Sequence, residues 1–179
     1  SPYGESKLMI DWMLSSYRHA YGVDFVSFRY FNACGADSQA RHGQAPGASH
    51  LIARILESVK RNESFTLNGT DYPTPDGTCI RDYIHVVDLI DAHIKALENL
   101  PNGKHEIINL GSGDGYSVKQ VIAAAEKAVG KVIPAVSSDR RAGDPAILIA
   151  DISKAKSFLK WQPTRGIEEM VTDTWNSMQ

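Results

Sequence analysis

Apolar positions along the chain alternate between helical and extended spacing. From Pro2 to Tyr21, Tyr3, Lys7, Ile10, Leu14 and Tyr17 follow i, i+4, i+7 spacing on one side, and Met9, Trp12, Met13 and Ala20 form a second side. A helix apolar on two sides needs more than one neighbour, and a partner subunit can be one of them. Residues 24–31 are rich in aromatic and β-branched side chains and predict a strand. Residues 32–47, with Gly35, Gly43, Pro46 and Gly47, predict a loop. A helix carrying Leu51, Ile52, Ile55, Leu56 and Val59 comes next, then a short strand at 65–67 that stops at Asn68-Gly69. Residues 70–78 read as loop, 82–86 as a short strand, and a helix bearing Ile90, Ile94 and Leu97 follows. Beyond a buried-looking strand at 106–110, Ser117 and Gln120 form a capping box for a helix that Gly130 ends. Extended segments at 131–136 and 147–150 precede two last helices, the second carrying Ile167, Met170, Val171, Thr174 and Trp175. Alternating strands and helices predict an α/β fold.

Composition narrows the function classes. The 179 residues suffice for one sizeable core, and 42% hydrophobic with 22% charged residues is ordinary for a globular protein. A net charge of -2 gives no electrostatic case for nucleic acid. Cys34 and Cys79 have no metal-site or disulfide-framework spacing, so no metal is expected. No apolar run is long enough to span a membrane and no signal peptide opens the sequence, so a cytoplasmic location is the default expectation. The sequence starts inside what reads as a first helical turn, with Ser1 as a possible cap, and Ser1 is taken as a truncation point.

Four segments could carry chemistry. Tyr3 and Lys7 lie one turn apart on one helix face, where an ammonium can stabilise a phenolate whose ordinary pKa is about 10. Taken alone, such a pair is more often a chance surface arrangement. Arg29-Tyr30-Phe31-Asn32 ends a strand in a polar loop, where α/β proteins bind ligands. Residues 71–89 are unusually dense in polar groups. Within them Arg81 suits phosphate, and His85 reads more readily as a satisfied structural histidine than as a base. Asp139-Arg140-Arg141-Ala142-Gly143-Asp144 could clamp a diphosphate and a ribose, though a solvated charged turn is the commoner outcome. Gly111-Ser112-Gly113-Asp114-Gly115 imitates a dinucleotide fingerprint, but Tyr116 stands where the last glycine is required, so it reads as a tight turn.

Taken together and in order, Ser1-Pro2-Tyr3-Gly4-Glu5-Ser6-Lys7, Arg29-Tyr30-Phe31-Asn32, the 71–89 block, Asn109-Leu110-Gly111 with its following glycines, and Arg140-Arg141-Ala142-Gly143-Asp144 resemble the UDP-glucose 4-epimerases. These are NAD-dependent members of the extended short-chain dehydrogenase/reductase group. The resemblance covers the whole chain and matches the family's C-terminal part. It implies the last strands and helices of a Rossmann domain (1–31 and 82–130) and a UDP-sugar-binding region (32–81 and 131–179). It implies that Tyr3 takes the proton of the sugar 4-hydroxyl as hydride leaves C4 for NAD, that Lys7 lowers the Tyr3 pKa and binds the nicotinamide ribose, and that Tyr30 lies near the cofactor. Asn32 would hold the sugar nucleotide. Leu51 would offer a backbone contact to the diphosphate at a helix N-terminus. Thr66 and Asn68 match uracil-side positions, Arg81 and Arg141 the diphosphate, Tyr83 the nucleotide cleft, Asp144 the uridine ribose. His50 stands where many members carry asparagine, and Leu148 occupies the position that gates the hexose pocket.

The glycine-rich first turn, the ribose-binding acid and the upstream catalytic Ser/Thr of the family have no counterpart in the 179 residues. The chain by itself is therefore expected neither to epimerise nor to bind NAD tightly. The full-length form is expected to be a homodimer through the first helix. Another nucleotide-sugar epimerase, 4,6-dehydratase or decarboxylase of the same group, and a non-catalytic UDP-sugar-binding fragment, are the alternatives.

Overall fold

The computed structural model describes residues 2–39, 41–45, 47, 49–99 and 105–179. Its elements are α1 (Pro2–Tyr21), β1 (Phe25–Tyr30), β2 (Asn32–Cys34), α2 (Leu51–Arg61), β3 (Phe65–Asn68), β4 (Ile80–Arg81), β5 (Tyr83–His85), α3 (Val86–Asn99), β6 (His105–Leu110), β7 (Tyr116–Ser117), α4 (Val118–Val129), β8 (Ala135–Ser138), β9 (Ile147–Leu148), α5 (Ser153–Leu159) and α6 (Ile167–Ser177). The proposed caps at Ser1 and the turn residue Pro46 lie outside the described residues.

The fold is α/β with mainly parallel pairing. β1 pairs with β6 from Phe25↔His105 to Tyr30↔Leu110, β2 with β5, and β3 with β8, all parallel. A three-stranded sheet has β4 between antiparallel β7 and parallel β9. Backbone bonds from Phe31 to Leu110 (2.9 Å) and from Asn32 to Asp82 (3.2 Å) carry the chain from β6 over to β5. The loop expected from residue 32 onward is corrected here, because residues 32–34 are extended and paired. The later glycines and Pro46 dominate that window's composition and hide three residues whose backbone groups are claimed by a distant strand.

Two cores hold these sheets. In one, α2, α4 and α6 bring together Ile55, Leu56, Val121, Met170 and Val171 beneath β3. In the other, Ile84, Leu89, Ile108, Leu110, Ala155, Leu159 and Trp161 join β5, α3, β6 and α5. α4 thus packs in the first core and α5 in the second. Ser117 and Gln120 form the capping box, and Gly130 ends α4 at φ 71°. α3 turns Leu89, Ala92 and Ala96 inward and leaves Ile90, Ile94 and Leu97 exposed. Its helical period is therefore legible from a side that does not face the core.

α1 buries a single residue, Asp11, whose carboxylate accepts from Ser27 Oγ (2.5 Å) and Arg29 Nη2 (2.7 Å). Arg18 and Asp24 pair near its other end. Met9, Trp12 and Met13 stay exposed. No helix among the described residues is long and apolar enough to cross a membrane.

Buried carboxylates bind the segments together. Asp88 accepts from Thr164 N (3.0 Å), Thr164 Oγ1 (2.9 Å), Arg165 N (3.0 Å) and Arg165 Nη1 (2.6 Å), and its carbonyl takes Trp161 Nε1 (3.0 Å). Burial opposes its ionisation, but these donors outweigh that and hold its pKa below the ordinary value. Asp11 and Asp76 are lowered in the same balance, burial opposed by hydrogen bonds from Ser27 and Arg29 and from Ser117 and Thr78. A depressed folded-state pKa gives stability that is complete above the unfolded value of about 3.9 and lost as pH falls through the lower folded value. Denaturation midpoints measured from about pH 6 down to about pH 3 should therefore fall with acid. Asp88→Asn should be less stable near neutrality and show a flatter acid limb; an unchanged limb would remove Asp88 from this role.

Candidate functional site

A cleft of about 230 Å³ opens between the start of α2, β3, β4 and the loop after β8. Asn32, His50, Leu51, Thr66, Asn68, Arg81, Tyr83, Arg141 and Asp144 all line it. Leu148 does not. It is exposed on β9, opposite Arg81 in register. A larger, more apolar cavity of about 580 Å³ lies alongside, and His50 lines both. Arg41 lines the larger, whereas Arg54, Arg81 and Arg141 line the smaller one.

Its electrostatics are uneven. The Arg81 side chain is largely buried, with Nη2 on Asp144 Oδ1 (3.1 Å) and Nη1 on Ile80 O (2.8 Å). Arg140 turns away, its Nε on Asp71 (2.6 Å) and its guanidinium 4.4 Å from the Tyr72 ring centroid. Arg141 has no carboxylate within ion-pair reach among the described residues, so of the two adjacent arginines it is the one left for a ligand. The first turn of α2 opens on the same cleft, and its N-cap, His50, makes no side-chain capping bond. Leu51 therefore stands where backbone N–H groups and the helix dipole favour an anion. Asn32 donates Nδ2 to Asp82 O (2.7 Å), which leaves its side-chain carbonyl as an acceptor. Burial raises the Tyr83 and Cys79 pKa values, so both stay neutral as walls.

The structure also reaches residues that the motifs did not single out. Ser49, Arg54, Phe65, Cys79 and Val118 line the cleft. Arg54 lies over the Phe65 ring, 5.9 Å from its centroid. Its position three residues after Leu51, on the same helix face, is the signal that could have found it.

The glycine-rich turn after β6 has a different use. Ser112 N (2.7 Å), Ser112 Oγ (2.6 Å) and Gly113 N (2.9 Å) all donate to the Asp82 carboxylate, which Ala150 N (3.0 Å) also reaches. The amides that a phosphate would need are spent on an internal anion. His85 is fully buried. Its Nδ1 accepts from Val87 N (3.1 Å), so Nε2 carries the hydrogen toward Asp173 (3.2 Å). Burial lowers its pKa, and the ring stays neutral. The Cys34 thiol is pushed up to about 12 by burial and is no nucleophile. Among the described residues no group of acidic, histidine and cysteine side chains could hold a metal ion.

Tyr3 and Lys7 sit apart from the cleft's walls, on the exposed first turns of α1, with Lys7 Nζ 5.2 Å from the Tyr3 ring centroid. The tethers Arg18–Asp24 and Asp11–Ser27/Arg29 run α1 antiparallel to β1. At 1.5 Å per residue, Tyr3 lies about 12 Å beyond Asp11 in the direction of the C-terminal end of β1. That end carries Tyr30, half-exposed, with its hydroxyl 2.7 Å from His93 Nε2.

Known proteins resemble this chain in sequence and in fold. The model of the NAD dependent epimerase/dehydratase family matches residues 1–111. A UDP-glucose 4-epimerase of Corynebacterium glutamicum is 47% identical over 175 residues, covering 97% of this chain and 53% of the relative. One from Halalkalibacterium halodurans is 46% identical over 98% of this chain and 54% of its own length. A crystal structure of UDP-glucose 4-epimerase from Stenotrophomonas maltophila, with bound NAD and formylated UDP-arabinopyranose, superposes with a TM-score of 0.93 at 36% identity, over 99% of this chain and 54% of that one. The Bifidobacterium longum enzyme in complex with NAD+ and UDP gives 0.90 at 37%, with the same coverage. The chain spans about half the length of the curated relatives it matches. With that match over more than half its residues, the chain belongs to the NAD dependent epimerase/dehydratase family.

Proposed function

We propose that this chain supplies the UDP-sugar cleft and the Tyr–Lys pair of an NAD-dependent UDP-glucose 4-epimerase about twice its length, which interconverts UDP-glucose and UDP-galactose through a 4-keto sugar. The observation that supports this most is the convergence of nine of the ten substrate-side residues, separated by up to 112 positions in sequence (Asn32 to Asp144), on one cleft with an unpaired arginine. In this reading Arg81, Arg141 and the Leu51 backbone hold the diphosphate. Thr66 and Asn68 flank the uracil, Tyr83 walls the nucleotide, and Asp144 takes the ribose while keeping Arg81 aligned. Asn32 and His50 contact the sugar side. Leu148, on β9 opposite Arg81, is the size gate for the hexose in this reading.

The residues at the C-terminal end of β1 suit a nicotinamide cofactor. They comprise a Tyr–Lys pair on an exposed helix face and a half-exposed tyrosine whose hydroxyl is already hydrogen-bonded on one side. When bound, NAD supplies reversible hydride acceptance. Tyr3 removes and returns the proton of the sugar 4-hydroxyl, with the Lys7 ammonium one helical turn away. We assign 1–31 and 82–130 chiefly to the cofactor-binding part and 32–81 and 131–179 to the UDP-sugar part. The packing of α4 with α2 and of α5 with β6 argues that these two helices cross that division. A cytoplasmic homodimer completes the proposal, with the exposed Met9, Trp12 and Met13 of α1 against a second copy.

The decisive experiment is Tyr3→Phe in the full-length protein. Turnover should fall by about a hundredfold or more, while UDP-sugar affinity measured by calorimetry largely survives; near-normal turnover would remove Tyr3 from the base role. Arg81→Ala and Arg141→Ala should do the reverse, each weakening UDP by about tenfold through the loss of charge-assisted bonds. Unchanged UDP affinity in both would sink the diphosphate assignment. Light scattering of the full-length protein should report a dimer that Trp12→Glu dissociates. A monomer at high concentration would contradict the α1 interface.

A further inference from the structure

On the basis of the cofactor-side placement of Tyr30 proposed above, we infer that His93 of α3 is a positioning residue that fixes the Tyr30 hydroxyl so that its oxygen faces the cofactor as a hydrogen-bond acceptor for an N–H or O–H donor such as a carboxamide. The Tyr30 hydroxyl meets a nitrogen that can only accept. His93 Nδ1 lies 2.7 Å from the backbone carbonyl of Leu89, so Nδ1 carries the hydrogen. In the neutral ring Nε2 is then a bare lone pair, and among the described residues its hydrogen-bond partner is the Tyr30 hydroxyl at 2.7 Å. Tyr30 must donate. Its proton is committed to His93, and what remains to the outer side of the oxygen is acceptor capacity. Burial raises the Tyr30 pKa, which keeps that proton in place.

The surroundings make the orientation firm. The His93 ring packs on Phe28 with centroids 4.7 Å apart and on Tyr30 at 5.6 Å, and Phe28 and Tyr30 lie on the same face of β1. Yet Tyr30 is 52% exposed, at the C-terminal end of a parallel strand where α/β folds bind ligands. A Tyr–His bond held by aromatic packing on one side and open on the other orients a hydroxyl more than it glues the core.

The test uses the full-length protein and four variants: Tyr30→Phe, His93→Phe, His93→Gln and the double Tyr30→Phe/His93→Phe. Phenylalanine keeps the packing on Phe28 and deletes the acceptor, while glutamine restores an acceptor near the Nε2 position. The readouts are NAD dissociation, UDP affinity and thermal midpoint. Tyr30→Phe and His93→Phe should each speed NAD loss by roughly tenfold, in line with one lost hydrogen bond. UDP affinity should be untouched, His93→Gln should return NAD retention to near the parent value, and the double variant should be no worse than either single one. Multiplying effects in the double variant would mean that His93 acts independently of the hydroxyl, and would overturn the inference. So would normal NAD retention in His93→Phe beside a defective Tyr30→Phe, which leaves the proposed placement of Tyr30 intact. Normal retention in Tyr30→Phe would overturn that placement together with the inference.

Discussion

One carboxylate organises the cleft. Asp82 is fully buried between β4 and β5, and its two oxygens receive Ser112 N and Oγ, Gly113 N and Ala150 N. Its backbone carbonyl takes both Asn32 N and Asn32 Nδ2. Three stretches of chain distant in sequence therefore meet on one residue. A buried anion left short of donors is costly, so the turn after β6, the end of β9 and the start of β2 all have to stay in register with it. Gly111 shows how close the fit is, because a Cβ built there would stand 2.5 Å from Asp82 Oδ2. Arg81 and Tyr83 flank this anchor, and Asn32 hangs from its carbonyl, so three cleft side chains inherit their positions from a residue that does not line the cleft.

Charge is then sorted around that anchor. Arg140 is consumed by Asp71 and Tyr72, Arg165 by Asp88, and Arg29 by Asp11, each holding one segment onto another. Arg81 is half-committed through Asp144, and Arg141 and Arg54 keep no carboxylate among the described residues. Three arginines in a cleft of this size repel one another without an anion, so the arrangement favours a ligand with distributed negative charge. Asp144 keeps the imbalance modest and gives a hydroxyl-bearing ligand an acceptor next to the cations.

Most of the element plan was legible, because apolar period and caps are local signals: Pro2–Tyr21 and the Ser117 capping box emerge as read. What sequence could not resolve was decided by partners far along the chain. β2 exists because residues 83–85 accept its backbone, and no local pattern announces that. Arg140 and Arg141 look alike in sequence, and only the location of Asp71 and Tyr72 separates the structural one from the free one. The five-residue glycine turn was read as a turn because its last glycine is replaced, and the reason it needs its amides is Asp82, 30 residues before Ser112. His93 carries no sequence signal at all, since its meaning depends on Tyr30 lying one strand face away.

The position of the Tyr3–Lys7 pair follows from the same economy of tethers. Asp11 and Arg18 tether α1 to the β1 segment, and its apolar sides are largely uncovered. Asp11 is four residues from Lys7 and eight from Tyr3, so the three follow one another along a slowly drifting helix face. The face that carries the pair is thus the face that the β1 contact orients. Because the tethers also fix α1 antiparallel to β1, the pair is directed past the strand end that holds Tyr30 and leads into Asn32. A rotation of α1 by one residue would swing the pair about 100° around the helix axis, and it would also pull Asp11 off Ser27 and Arg29, stranding a carboxylate against β1. The cost of that misplacement holds two exposed side chains in a defined direction without burying either.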